Sequence, residues 1–163
     1  MGMQYDVKQL HVKASGTAVS YRTRLKSIVV TSATISARNI GICDPTVYQT
    51  GTYSRTTPSS TTTVTITGHG LETGDRVFLD FTSGTARDGM YSITKVNDNS
   101  FTVDTVQTTS TSGNVTMYTT ILLELDTFST VGLPVYIPGE GILCKNGIFV
   151  GLGSSVTLSI YYG

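Results

Sequence analysis

The 163-residue chain has little charge and no tryptophan, and both shortages exclude classes of protein. Eleven basic and eleven acidic residues cancel, and charged residues make up 13% of the chain, against roughly 25% in an average globular domain. A neutral chain lacks the excess positive charge with which nucleic-acid-binding proteins neutralise phosphates. We therefore expect no nucleic-acid partner. The absence of tryptophan also counts against sugar binding by ring stacking.

Long apolar runs and cysteine pairs are scarce as well. No apolar run approaches the roughly 20 residues of a transmembrane helix, so we expect no membrane partner. The first ten residues contain no apolar core of an export signal, which predicts synthesis and folding in a cytoplasm. Cys43 and Cys144 are one pair in a long chain, which is not a disulfide scaffold. We expect two reduced, partly buried thiols.

What the chain has in abundance is Thr, Ser and Gly, together with the strand formers Val, Ile and Tyr. Apolar residues recur with a period of two, and no segment has a helical period. The sequence therefore predicts an all-β fold, an antiparallel β-sandwich or jelly-roll-like domain interrupted by a small β-barrel insert. Residues 1–44 and 119–163 together form the predicted sandwich, and residues 45–118 form the insert.

The flanks contain about seven or eight predicted strands. Ile28-Val29-Val30 is expected to be buried on both sides, and Pro134 favours an edge strand. Ile142–Cys144 and Gly147–Leu152 are expected to form a hairpin, since Asn146-Gly147 is a strong hairpin signal.

The recognisable part of the insert is His69–Asp104, in which short strands alternate with Gly- and Asp-rich turns. The polar stretch from Thr46 to Thr63 is interpreted as a linker or an extended excursion, and Gln107–Gly113 as a spacer. Met90–Val96 is predicted as one strand. We expect any function of the insert to lie on its exposed loops, Thr82–Gly89 above all.

The sequence contains no catalytic or cofactor-binding constellation, so we expect neither an enzyme nor a cofactor. His69 lies between glycines and is interpreted as a turn histidine fixed by backbone hydrogen bonds rather than as a metal ligand. The calcium hypothesis is weaker than turn chemistry for the aspartates of the insert, namely Asp75, Asp80, Asp88 and Asp98. No metal site is predicted.

Two groups of residues in the flanks are candidates for binding a protein partner. Arg22, Arg24 and Lys26 share one strand face, which could bind an acidic protein patch or nucleic acid. An ordinary solvated surface is the favoured interpretation. Tyrosine is enriched at interfaces, and the candidate anchors are Tyr5, Tyr161 and Tyr162.

Each part of the chain resembles a known family. The insert resembles the small β-barrel of ubiquitin-activating enzymes through His69, Gly70, Gly74, Asp75, Val77, Gly89, Phe101 and Thr102. That barrel is a structural insert, so the resemblance implies no ubiquitin chemistry. Similar modules occur in bacteriophage tail and other virion proteins, often before a segment like Thr111–Thr116.

The flanks resemble a family of small bacteriophage virion proteins. The shared motifs are the MQYDVK strand at Met3–Lys8, the basic strand Arg22–Val30, PGEGI at Pro138–Ile142, NGI at Asn146–Ile148 and the final Tyr162-Gly163. The resemblance implies a capsid decoration or cement protein, made in the host cytoplasm and located in the virion.

Such a protein would form homo-oligomers and bind the major capsid protein or other virion proteins through its sandwich, with the insert projecting outward. Two alternatives stay open. One is a tail or fibre component, either a connector or a receptor-binding accessory. The other is a carbohydrate-binding module that contacts host surface glycans through the insert, with Tyr48 and Tyr53 as candidate contacts.

Overall fold

The computed structural model describes residues 6–33, 38–127, 132–153 and 156–163. Within these ranges the chain forms sixteen strands and no helix, which confirms the all-β prediction. In chain order the strands are β1 Lys8–Val12, β2 Gly16–Val19, β3 Thr23–Ala33, β4 Arg38–Cys43, β5 Tyr48–Arg55, β6 Thr61–Thr65, β7 Arg76–Asp80, β8 Gly89–Ser92, β9 Thr94–Asn97, β10 Ser100–Asp104, β11 Thr111–Tyr118, β12 Ile121–Thr127, β13 Leu133–Tyr136, β14 Ile142–Cys144, β15 Ile148–Leu152 and β16 Val156–Tyr162.

The chain divides into two compact units. The flanking unit comprises Met1–Thr46 with Leu122–Gly163, and the inserted unit comprises Val47–Ile121. The unit boundaries lie two residues after the expected junction at 44 and three residues after the expected junction at 118. The inserted unit thus begins one residue before β5 and ends at the first residue of β12.

The flanking unit is a two-sheet sandwich. Sheet A has the order β1-β16-β3-β13, with β14 also paired to β3, and sheet B has the order β12-β4-β15-β2. Alternate side chains of both sheets enter one core, including Ile28 of β3, Ile42 of β4 and Ile160 of β16, all fully buried. Burial of such side chains contributes about 1.5–3 kcal/mol each, so this shared core holds the two sheets together.

The strands on either side of the insertion, β4 and β12, are hydrogen-bonded neighbours in sheet B. The sandwich is therefore continuous across the point at which the inserted unit leaves and rejoins it. Pro134 lies in β13, at the edge of sheet A, as its missing amide proton requires.

The predicted hairpin around Asn146-Gly147 is wrong. β14 pairs with β3 in sheet A, whereas β15 pairs with β2 and β4 in sheet B, so residues 145–147 cross between the sheets. The Asn146 side chain donates to Asp44 Oδ2 at 2.8 Å. Gly147 has φ 118°, and a Cβ there would lie 2.1 Å from the carbonyl oxygen of Val19. Asn146-Gly147 therefore allows the chain to pass from sheet A to sheet B close to the Val19 backbone, and it does not form a hairpin turn.

The inserted unit is one antiparallel seven-stranded sheet with the order β8-β7-β11-β5-β6-β10-β9, curled into a nearly closed barrel. Its core includes Val64, Val77, Phe101 and Met117, all fully buried. A curled sheet encloses its apolar face without a second sheet.

The interpretation of Thr46–Thr63 as a linker is also wrong. β5 and β6 occupy most of this stretch, and β5 lies near the middle of the barrel sheet, paired with β11 over eight residues. The presumed spacer Gln107–Gly113 likewise ends inside β11. The strand period was hidden because polar side chains, Arg55 and Thr62, occupy buried positions.

The predicted single strand Met90–Val96 is two strands, β8 and β9, separated at Ile93. The Ile93 amide donates to the carbonyl of Asp75 at 3.0 Å, and its carbonyl accepts from the Gly74 amide at 2.9 Å. These bonds to the Glu72–Asp75 turn interrupt the ladder and bury the Ile93 side chain.

Candidate functional site

The predicted basic row does not act as one group. Arg24 Nη1 donates to the carbonyl of Gly141 at 3.3 Å and its Nη2 lies 3.5 Å from Glu140 Oε2. Lys26 Nζ donates to the carbonyl of Glu140 at 2.8 Å. Arg24 and Lys26 therefore fasten the turn at residues 138–141 to β3. An exposed ion pair of this kind contributes little stability, so its effect is mainly positional.

Arg22 instead lines an open pocket at one end of sheet A, together with Tyr162. The pocket has a volume of about 190 Å³ and is also lined by Asp6, Lys8 and Tyr21. Lys8 Nζ lies 5.7 Å from the centre of the Tyr21 ring, within the range of a cation–π contact. Two of the predicted partner-binding residues, Arg22 and Tyr162, thus lie in one pocket that contains two cations, one carboxylate and two tyrosines. Tyr5 lies outside the described residues.

The two tyrosines of the pocket interact. Partial burial raises the pKa of the Tyr162 hydroxyl, and its hydrogen bond with Tyr21 and the charge of Tyr21 raise it further, while Lys8 opposes the shift. Tyr162 therefore stays neutral at physiological pH. A neutral phenol beside two cations can donate a hydrogen bond to a carbonyl or carboxylate of a partner.

Part of the outer face of sheet A is uncharged. The register aligns two rows of side chains on this face, opposite to the core-facing Ile28 and Ile160. The first row is Gln9, Tyr161, Ser27 and Tyr136, and the second is His11, Ser159, Val29 and Pro134. We call these eight residues the sheet A face; none carries a formal charge when His11 is neutral.

Contacts within the sheet A face are few and polar. Ser159 Oγ accepts from Gln9 Nε2 at 3.3 Å and lies 3.3 Å from His11 Nδ1. Tyr136 has 79% of its surface exposed, whereas Tyr161 is half-buried. Val29, expected to be buried on both sides, is only half-buried because it lies on this face. Hydrogen bonds thus hold part of the sheet A face in place, and the Tyr136 ring is exposed on it.

Sequence reasoning missed Tyr136, and also Tyr21 and Lys8 of the pocket. Lys8 and Tyr21 lie within or beside motifs already noted, but no local pattern joins them. Tyr136 reaches the row of Tyr161 only through the pairing of β13 and β16 with β3. Such a register between distant segments is not visible in a single sequence.

In the inserted unit, His69 is a turn histidine held by the backbone, as predicted. The Leu71 amide donates to Nδ1 at 3.0 Å, and Nε2 donates to the carbonyl of Asn97 at 2.8 Å. The side chain is 4% exposed and meets the Phe101 ring edge-on. Both ring nitrogens are occupied, so the His69 side chain fixes the turn.

The aspartates of the insert form turn hydrogen bonds and an ion pair. Asp75 Oδ2 accepts from the Glu72 amide at 2.8 Å, and Asp98 lies 3.1 Å from Lys95 Nζ. Burial raises the pKa of Asp88 to about 6, against the Phe81 amide bond that lowers it, and the nearby Asp80 raises it further. Within the described ranges, no three His, Cys, Asp or Glu side chains lie close enough together to hold a metal ion.

Both cysteines are unpaired and fully buried, deeper than the partial burial expected. Burial raises the pKa of the Cys43 thiol to about 12, and the charge of Glu124 adds to the shift. Burial also raises the pKa of Cys144. Because the thiolate is the reactive form, both residues are packing groups of the sandwich.

The loop Thr82–Gly89 is exposed but firmly attached. The Tyr53 hydroxyl donates to the carbonyl of Ser83 at 2.8 Å, and Ser83 Oγ accepts from the Asn114 amide at 2.8 Å. Tyr53 is only 3% exposed, so its ring cannot stack on a sugar, whereas Tyr48 is 53% exposed.

Comparison of the chain with protein-family models, curated proteins and solved structures finds no match. The resemblances therefore depend on the sequence motifs alone. The described part of the chain contains no helix of the length and apolarity needed to span a bilayer.

Proposed function

We propose that this chain is a bacteriophage virion structural protein that decorates the capsid, and that it binds through the sheet A face. The motifs Met3–Lys8 and Pro138–Ile142 support the virion assignment through the resemblance of the flanks. The observation that carries the proposal is the face itself, in which two aligned rows of uncharged side chains cross four strands of sheet A.

The chemistry of the face suits burial against another protein. Charged residues are depleted and tyrosine is enriched at the centre of protein interfaces, because desolvating a charge is costly. Tyr136 and Tyr161 flank Ser27 in one row, so both rings contact a partner laid across the strands. Many copies on a symmetric shell turn weak single contacts into a stable coat.

The pocket at the end of sheet A supplies the polar part of the interface. Arg22 and Lys8 provide positive charge, and Tyr162 and Tyr21 provide hydroxyl groups. Charges at the rim of an interface steer association and fix orientation. Because two cations outnumber the carboxylate of Asp6 in this pocket, its charge favours an acidic side chain of the major capsid protein or of a neighbouring copy.

The test is binding of the purified protein to phage capsids that lack it. We expect saturable binding at symmetry-related sites, weakened at least tenfold by Tyr136→Lys, which places a charge on the face. Val96→Lys is the matched control, because Val96 is a similarly exposed apolar residue on β9 of the inserted unit. Absence of capsid binding, with co-purification of tail parts, would assign the protein to the tail instead.

A further inference from the structure

Arg55, at the end of β5, is a buried cation without a counter-charge. The side chain is 3% exposed and forms no ion pair with any residue that the structure describes. Its Nε donates to the carbonyl of Thr109 at 2.9 Å and its Nη1 donates to Thr105 Oγ1. Nη2 is buried and has no hydrogen-bond partner. Burying a guanidinium with unpaired donors is strongly unfavourable.

The bonds already made determine which edge of the guanidinium is available. The carbonyl of Thr109 occupies Nε, so the unfilled donors lie along the Nη1–Nη2 edge. Thr105 Oγ1 donates to the carbonyl of Ser60 at 3.2 Å and lies 2.9 Å from Thr62 Oγ1, which fixes the hydroxyl that holds Nη1. The Nη1–Nη2 edge of an arginine held in this way matches the two oxygens of a carboxylate.

The segment Val106–Thr108, here called the cover, joins Thr105 and Thr109, the two residues that bond to Arg55. Val106 has φ 61°, a strained value for a β-branched residue, and its side chain is 83% exposed. Gln107 Nε2 donates to the carbonyl of Thr85 at 3.2 Å, but its Oε1 is buried without a partner. A cover with strain and an unpaired acceptor opens more readily than a regular strand.

We propose that Arg55 is the binding group of a carboxylate site in the inserted unit, reached when the cover Val106–Thr108 is displaced while Thr105 and Thr109 keep their bonds to Arg55. The ligand is a small carboxylate, either a free one or the acid group of a uronic acid in a polysaccharide. The hydroxyl groups of Thr57 and Ser110, which are hydrogen-bonded to each other, lie beside the cover and suit the hydroxyl groups of a sugar. The site is independent of the capsid-binding proposal.

The test is thermal unfolding of the full chain in sodium chloride, sodium acetate and sodium glucuronate at equal ionic strength. We expect the carboxylates to raise the Tm of the inserted unit by about 5 °C at a tenfold excess over Kd. Arg55→Met should abolish this rise. Arg87→Met is the matched control and should retain it, because Arg87 is an exposed arginine of the same unit. Equal effects of both salts indicate a free carboxylate, and a larger effect of glucuronate indicates an acidic sugar.

A second measurement needs no variant and decides the matter if Arg55→Met does not fold. The Nε–H resonance of the buried Arg55 should shift on titration of the wild-type protein with acetate or glucuronate, and saturate. Either of two results overturns the proposal. One is an unchanged Arg55 resonance with no carboxylate-specific rise in Tm, and the other is an equal rise in Tm in wild type and Arg55→Met.

Discussion

Asp88 shows how burial sets the charge of a single residue in the inserted unit. Its Oδ1 accepts from the Phe81 amide at 2.8 Å, while burial and the neighbouring Asp80 raise its pKa to about 6. The folded state thus binds the Asp88 proton more tightly than the unfolded state does. The resulting stability is complete below the unfolded pKa of roughly 4 and is lost as the pH rises through about 6.

The first prediction follows from this shift. Asp88→Asn keeps the acceptor for the Phe81 amide and removes the buried charge, so we expect about 1 kcal/mol of added stability at pH 7 and a flatter stability profile between pH 4 and 7. Chemical denaturation at several pH values measures this. Asp98→Asn, on an exposed carboxylate, is the control. An unchanged pH profile in Asp88→Asn would show that Asp88 is not the titrating group.

The second prediction concerns the crossing at Gly147. Alanine there must adopt φ 118° and place a Cβ 2.1 Å from the Val19 carbonyl oxygen, so we expect a loss of about 2 kcal/mol or more. Gly139→Ala is the matched control, because Gly139 has φ 66° but open space around its Cβ position. We expect it to cost about 1 kcal/mol. Equal losses of unfolding free energy for both variants would contradict the close crossing.

At the scale of elements, local signals predicted some strands and failed for others. The period of two predicted an all-β fold, and Pro134 predicted an edge strand, because each signal lies within a few residues of the chain. The strand β5 was missed because its buried positions include Arg55, which no strand pattern anticipates. Asn146-Gly147 misled because the same dipeptide suits a hairpin and a crossing between sheets.

In the candidate site, too, local sequence signals predicted some residues, whereas the pairing of distant strands was not predictable. Arg22 and Tyr162 were proposed from composition and position, and the structure places both on one pocket. The two rows of the sheet A face were not predictable, because they require the register of four strands from distant parts of the chain. The buried state of Tyr53 is likewise a consequence of barrel closure.

The third prediction tests the extent of the inserted unit. A fragment of residues 47–121 should fold and unfold cooperatively, because it contains all seven strands of the barrel sheet. A fragment of residues 69–104 should remain unfolded, since it lacks β5, β6 and β11. Circular dichroism with thermal melting measures both. Cooperative folding of the shorter fragment would restore the interpretation of Thr46–Thr63 as a linker.

The fourth prediction tests the continuity of the sandwich. Replacing residues 47–121 with a short Gly-Ser linker should leave the flanking unit folded, because β4 and β12 are neighbours in sheet B. We expect a single cooperative unfolding transition from this shortened protein. Failure to fold, with the 47–121 fragment folding normally, would mean that the flanking unit needs the inserted one.

At the scale of the whole molecule, low charge has a single consequence across both units. The chain has no net charge, so copies of it do not repel one another at close spacing. The sheet A face adds an ordered, uncharged surface on which Tyr136 is exposed. These properties suit a protein that forms a dense coat on a larger particle.

The most direct test of capsid decoration through the sheet A face is a cryo-electron microscopy reconstruction of the intact phage particle. We predict density for this chain at symmetry-related positions on the capsid, with Tyr136 and Tyr161 buried against the capsid protein or a neighbouring copy. Density on the tail would contradict the location. Density on the capsid with Tyr136 and Tyr161 facing solvent would contradict the binding face.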